Sequence, residues 1–348
     1  MPAPPRIWIV THRQFADHQG HNLLARYLGA RSVRLAGWTG SLAQRLLARL
    51  LRRRPGGRRL NPALAYHLHL ANQLSRRAQV RGEFIHLIWG DDLIEHLTHP
   101  GRCIVTLHQP YELWTEATWR QLARCAGVVC MAGRECEQVR QRLPWVPAVF
   151  IPHGIDIDFW RPAATPPLRQ ICIVGRYLRN FPMLLRVSQQ LLQRYPDLTI
   201  RWLVNPDFQL SPELAHGLPP ERFELVRDLS AAQLHQFYAE SWLCFIPYDN
   251  VTASNAIVEA MASGIPVFTT QVGGMASYAG DGALTMVANN ADEAMLDALT
   301  RCLDSAEVRA RQSARVRSHA ESHFSWPRIV SAHEDYYARL AGYQEAAP

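Results

Sequence analysis

The stretch Asp249-Asn250-Val251-Thr252-Ala253-Ser254-Asn255-Ala256-Ile257-Val258-Glu259-Ala260-Met261-Ala262-Ser263-Gly264-Ile265-Pro266 decides how the chain reads. One apolar run, Leu243–Ile246, precedes it and another, Pro266–Thr269, follows. Both runs are short and continuous, the pattern of strands buried on both faces. Thr252 and Ser254 supply helix-start hydroxyls, and Gly264 with Pro266 supplies the stop. The segment therefore reads strand–helix–strand, the unit of a parallel sheet. On the expected helix Thr252, Asn255 and Glu259 are spaced by three and four and share one face. Ala253, Ile257, Ala260, Met261 and Gly264 form an apolar face. The free N–H groups and positive dipole end at the start of such a helix suit a phosphate.

The same alternation extends in both directions. Towards the N-terminus the strand candidates are Arg6–Thr11, Ser32–Ala36, Phe84–Trp89, Arg102–Leu107, Gly127–Met131 and Ala148–Ile151. In the other half they are Gln170–Val174, Thr199–Val204, Arg222–Val226, Leu243–Ile246, Pro266–Thr269 and Leu284–Val287. Helical patterns lie between them, which predicts an α/β protein with parallel sheets. A length of 348 residues favours two domains. Three prolines in Pro162-Ala163-Ala164-Thr165-Pro166-Pro167 mark a stiff connection. The expected division is 1–160, a linker at 161–167, a second domain at 168–325 and a helical tail at 326–348.

All 37 basic residues are arginine. Residues 1–160 carry 21 of them against 11 acids, and 18–82 carry 13 with no acid at all. The positive field thus belongs to the N-terminal half. Leu42, Leu46, Leu47, Leu50 and Leu51 line one side of an expected helix, with Arg45, Arg49, Arg52 and Arg53 opposite. That pattern fits either an anionic membrane surface or ordinary core packing with a basic outer face. A nucleic-acid partner is not expected, because no aromatic–basic RNA motif or recognition helix stands out. The first apolar run, Ile7–Val10, is too short for a signal-peptide core. No window reaches the length of a membrane span, and a cytoplasmic protein is expected. Seven cysteines without Cys-x-x-Cys spacing read as buried reduced thiols.

The pattern S-N-A-I-V-E-A-M-A-S-G-I-P-V, followed by Gly273-Gly274, resembles the donor-site signature of retaining glycosyltransferases of family four. The resemblance implies the GT-B architecture, two Rossmann-like domains with parallel sheets facing across a cleft. It implies that Glu259 holds the nucleotide ribose and that the helix start near Ser254 and Asn255 meets the diphosphate. The family's second glutamate, eight positions earlier, is Val251 here, which leaves Asp249 and Thr252 as substitutes. Ile151-Pro152-His153-Gly154-Ile155-Asp156 resembles the turn that ends the family's first domain, and Cys172-Ile173-Val174-Gly175-Arg176 the start of its second. The family's basic pair at the diphosphate implies Arg176 beside Gly175; the usual lysine five positions on is Phe181, so Arg179, with Asn180, stands in. His108, at the end of Val105–Leu107, matches a histidine near the donor sugar and acceptor. Asp17, His18, Gly20 and Asn22 occupy the family's glycine-rich acceptor or phosphate loop.

The expected reaction moves a sugar from a nucleoside diphosphate sugar to a hydroxyl acceptor, lipid-linked if the basic helix meets a membrane's inner face. Arginines take the place of a metal, so no cofactor is expected, and Asp156-Ile157-Asp158 reads as a structural turn. A sugar-nucleotide epimerase of the same fold and an inactive sugar-nucleotide-binding module are the alternatives.

Overall fold

The computed structural model describes residues 6–11, 18, 23–28, 31–34, 45, 62–164, 167–280 and 282–345. These residues fall into two compact units. Unit 1 holds those up to Ile151, apart from His18, together with those from Val330 onward. Unit 2 holds His18 and the residues from Pro152 to Ile329.

Unit 1 contains β1 (Ile7–Thr11), α1 (Leu23–Tyr27), β2 (Arg31–Arg34), α2 (Pro62–Arg81), β3 (Phe84–Leu87), β4 (Cys103–Leu107), α3 (Glu116–Leu122), β5 (Gly127–Cys130), α4 (Gly133–Arg142) and β6 (Ala148–Phe150). The strands pair in parallel in the order β2-β1-β3-β4-β5-β6. Every residue of β3, β4 and β5 is buried, which explains why these strands read as unbroken apolar runs.

Unit 2 contains β7 (Gln170–Val174), α5 (Phe181–Arg194), β8 (Thr199–Leu203), α6 (Pro212–Ala215), β9 (Phe223–Val226), α7 (Ala231–Ala239), β10 (Leu243–Ile246), α8 (Asn255–Ala262), β11 (Val267–Thr270), α9 (Ala276–Ala279), β12 (Thr285–Val287), α10 (Asp292–Asp304) and α11 (Ala306–His323). Its sheet is also parallel, in the order β12-β11-β10-β7-β8-β9. Alternate side chains fill two cores, one on each face. Ile171, Ile173, Leu243, Phe245 and Phe268 enter one with α5 and α10. Cys172, Cys244, Ile246 and Val267 enter the other with α8. All seven cysteines are buried and free.

Gly154 lies flat against the Trp326 ring, and a Cβ there would sit 2.6 Å from it. Trp326 opens α12 (Trp326–Glu345), whose residues from Val330 belong to unit 1. There Tyr336 donates to the Pro147 carbonyl at 2.8 Å. Buried His86, on β3, meets the Tyr337 hydroxyl through Nδ1 and the Thr106 hydroxyl through Nε2, each at 2.7 Å. Burial, then His333 and His108, hold the His86 pKa well below 6.5. The unfolded chain therefore takes up a proton below about pH 6.5 that the folded chain refuses. Stability should fall as pH drops through that range, by up to about 1.4 kcal/mol per pH unit from this group. Denaturant titrations at pH 7 and pH 5 check this, with a smaller pH difference expected for His86→Leu.

Candidate functional site

The strand order of unit 2 reverses direction between β7 and β10, and open α/β sheets take ligands outside the carboxyl ends of strands at such a point. The first wall there is the β7–α5 turn. Gly175 adopts φ +76°, and a Cβ would meet the Arg179 guanidinium at 2.9 Å. Arg176 is an exposed cation whose neighbours are Asp207, at 3.6 Å, and the Phe208 ring. Arg179 was expected to face a diphosphate, but its guanidinium is turned into the turn itself. It donates to Val174 O through Nε at 3.2 Å and Nη2 at 2.5 Å, and to Tyr177 O at 3.0 Å. Burial lowers its pKa. Asn180 is likewise spent on structure. Its Oδ1 caps α5 by accepting from Met183 N, and its Nδ2 donates to the Asn289 and Asn290 side chains.

The second wall follows β10. Tyr248 lies under the Arg179 guanidinium at 4.0 Å and donates to Ser254 Oγ at 2.6 Å. Ser254 in turn accepts from Ile257 N and caps α8. A continuous chain of contacts thus runs from the β7 turn to the helix start. The helix begins at Asn255, so the expectation that Thr252 shares a helical face with Asn255 and Glu259 is corrected. Val251 and Thr252 belong to the preceding loop, pinned there because Gly274 N donates to Val251 O at 2.6 Å. Thr252 is 1% exposed, and its hydroxyl has no hydrogen-bond partner among the described residues. Val251, at the family's second glutamate position, is core. Asp249 lies 3.5 Å from the Asn289 amide.

The polar face expected for this helix is also corrected. Residues Ala256–Ala262 are all buried, because α8 packs against both α11 and β11. Glu259 is only 4% exposed, and its Oε2 accepts from the Tyr238 hydroxyl at 3.0 Å. Burial pushes its pKa up to about 7, with the Tyr238 bond acting the other way. A buried carboxylate with one neutral partner has acceptor capacity left for another donor. Tyr238 and Tyr248 were not singled out in the sequence; their position before and after β10 was the available signal.

In unit 1, His108 directly follows β4. Its Nε2 lies 2.8 Å from the Ile88 carbonyl and its ring stacks on Trp89 at 4.0 Å. Asp91 accepts from His108 N at 2.8 Å and Gln109 N at 3.0 Å. The sequence reading missed Asp91, although Gly90-Asp91-Asp92 after a strand was visible.

His18, expected in an acceptor loop, packs within unit 2. It meets Asp156 Oδ2 at 3.0 Å and stacks on Phe159 at 3.9 Å. Asp156 also accepts from Phe159 N, as a turn residue does. Asp17, Gly20 and Asn22 lie outside the described residues, as does the basic leucine-rich segment apart from Arg45. Among the described residues no group of three metal-binding side chains occurs, and no helix is long and apolar enough to cross a membrane.

Two parallel sheets with helices define a GT-B chain, and solved glycosyltransferases share the fold. The trehalose 6-phosphate synthase of Burkholderia multivorans matches 98% of this chain and 100% of its own at a TM-score of 0.72 and 11% identity. HepE of Anabaena, solved with UDP and glucose, matches 96% and 100% at 0.69 and 14%. Within that fold, residues 169–305, all in unit 2, match the family described as Glycosyl transferases group 1. The D-inositol 3-phosphate glycosyltransferase of Nocardia farcinica is 27% identical over 216 residues, covering 55% of this chain and 47% of the relative. The chain thus spans about half the length of the curated relatives it matches.

Proposed function

We propose that this chain is a retaining glycosyltransferase that moves a sugar from a nucleoside diphosphate sugar to a hydroxyl acceptor. The observation that carries the reading is the buried Glu259 carboxylate on α8, beside the sheet's switch point and within the matched domain. Ribose hydroxyls donate to Glu259, and the diphosphate sits at the N–H groups that open α8, near Ser254 and Asn255. Gly175 keeps the backbone of the β7 turn close to it. Arg176 moves from Asp207 to the diphosphate and offsets the charge that grows as the sugar leaves. Arg179 and Asn180 act by holding the turn. Thr252 offers its unpaired hydroxyl in place of the glutamate that Val251 replaces. His108, in unit 1, is assigned to the sugar and acceptor hydroxyls, with Asp17, Gly20 and Asn22 as further acceptor contacts. No metal takes part, and the reaction belongs to the cytoplasmic side, against an anionic membrane if the acceptor is lipid-linked.

Melting temperature is the first test, read with UDP-, GDP- and ADP-sugars. One donor at about 100 times its Kd should add about 2.7 kcal/mol of stability. That donor should then release its nucleoside diphosphate when a hydroxyl acceptor is supplied, with or without chelator. No shift with any donor would reject the reading. A shift without turnover would favour a binding module instead, a reading motivated by Val251 in the core.

A further inference from the structure

We infer that unit 2 carries a second ligand site, a cavity at the carboxyl end of α8 that takes a phosphate group. The cavity is apart from the donor site. Helix α8 follows β10 and leads into β11, so it starts near the carboxyl ends of the parallel strands and finishes near their amino ends. At about 1.5 Å per residue, its eight residues separate the two places by about 12 Å. The inference does not depend on sugar transfer.

The cavity, of about 230 Å3, lies where the chain leaves α8 at Ser263, beside Arg309 and Ser313 of α11 and under Pro162. Gly264 permits the close crossing of Pro162. It adopts φ +70°, and a Cβ there would meet Pro162 Cγ at 2.8 Å.

Several polar groups around the cavity are already bonded. Ser241 donates to Phe237 O at 2.7 Å and accepts from Gln170 Nε2 at 2.9 Å. Arg317 donates to Trp160 O and Ala262 O through Nη1 and to Ile157 O through Nη2. The other carbonyls that end α8 are also taken: Glu259 O by Ser263 N, Ala260 O by Ile265 N and Met261 O by Gly264 N. The negative end of the helix is thus already answered.

Three groups are not satisfied. Ser263 is 3% exposed, yet its hydroxyl makes no hydrogen bond, and the buried Ser313 hydroxyl makes none either. Arg309 is half-buried. Its Nε donates to Trp242 O at 2.9 Å and its guanidinium lies 5.0 Å over the Trp242 ring, which fixes its plane. Its two Nη groups meet no acceptor and no carboxylate among the described residues. Burial lowers its pKa, as expected for a cation held from water without a counter-charge. No acidic side chain lines the cavity.

Unpaired buried hydroxyls and an unanswered cation both cost free energy. One ligand answers both. A tetrahedral oxyanion accepts from the two Nη groups and from both hydroxyls, each serine turning about a single torsion to reach it. Water would satisfy the hydroxyls and leave the charge.

Calorimetry with inorganic phosphate on the full chain tests the site. The Arg176→Gln background weakens any binding at the position proposed for the donor diphosphate. One phosphate per chain should bind. Adding Ser263→Ala with Ser313→Ala should raise its Kd at least tenfold and leave the urea midpoint unchanged, since no hydrogen bond is lost. Arg309→Gln should raise the Kd at least as much, and if it does not fold the serine pair decides alone. Absence of binding, a Kd that either folded variant leaves unchanged, or a serine pair whose urea midpoint falls would overturn the inference.

Discussion

Glu259→Gln is expected to remove most of the nucleotide-induced rise in melting temperature and, in the same protein, to change how the unliganded chain responds to pH. The first effect follows from the lost charge. Hydrogen bonds to a charged group are worth about 1.5–3 kcal/mol, so the nucleotide Kd should rise roughly 10- to 100-fold. The second follows from burial. The Glu259 pKa is about 7 in the folded chain against an ordinary value of 4.5. Between these values the folded chain keeps a proton that the unfolded chain has released. Its stabilising contribution is complete below pH 4.5 and is lost as pH rises through about 7. The difference in unfolding free energy, variant minus wild type, should therefore increase by about 3 kcal/mol between pH 4.5 and 8. Any constant cost of the amide cancels in that comparison. A wild-type Kd that worsens below pH 7 more than the variant's would report the same proton, since ribose donation requires the carboxylate.

Gly273→Ala is expected to destabilise unit 2 by about 3–5 kcal/mol and to abolish nucleotide binding in whatever protein still folds. Gly273 adopts φ +53°, a conformation that disfavours a Cβ. The added methyl would also fall on the Val251 carbonyl oxygen and lie 2.7 Å from Val251 N. Those are backbone atoms and cannot rotate away. The neighbouring Gly274 N–H bond to Val251 O would have to open, and with it the loop that leads into the Ser254 cap. Urea titration followed by nucleotide binding separates the two losses. Alanine tolerated within 1 kcal/mol would contradict this packing.

Much of the fold was legible, and for a simple reason. Strands such as β7 and β10 send alternate residues into two dry cores, so Gln170–Val174 and Leu243–Ile246 read as continuous apolar runs. Glu259 was picked out by the resemblance of its motif. The structure adds that the carboxylate is buried in an apolar setting, where it is costly unless it is hydrogen-bonded. Its surroundings were not legible. Periodicity cannot reveal that α11 closes over the second face of α8, so the expected polar stripe was in fact buried. Nor can it reveal which partner an arginine chooses. Arg179 looked equivalent to Arg176, yet backbone carbonyls take its donors while Arg176 stays exposed. The start of α8 was placed too early because Thr252 and Ser254 are equally good caps by type, and the Gly274–Val251 bond that excludes Thr252 spans the following strand. Asp91 escaped notice because its partners are backbone N–H groups, which leave no mark on the sequence.

A crystal structure with the donor that raises the melting temperature most is the direct measurement. The ribose hydroxyls should lie about 3 Å from the Glu259 carboxylate, with the diphosphate on the N–H groups that open α8 and Arg176 swung away from Asp207. A nucleotide bound elsewhere, with Glu259 still bonded to Tyr238 and to no part of the ligand, would contradict the assignment of this carboxylate to the donor.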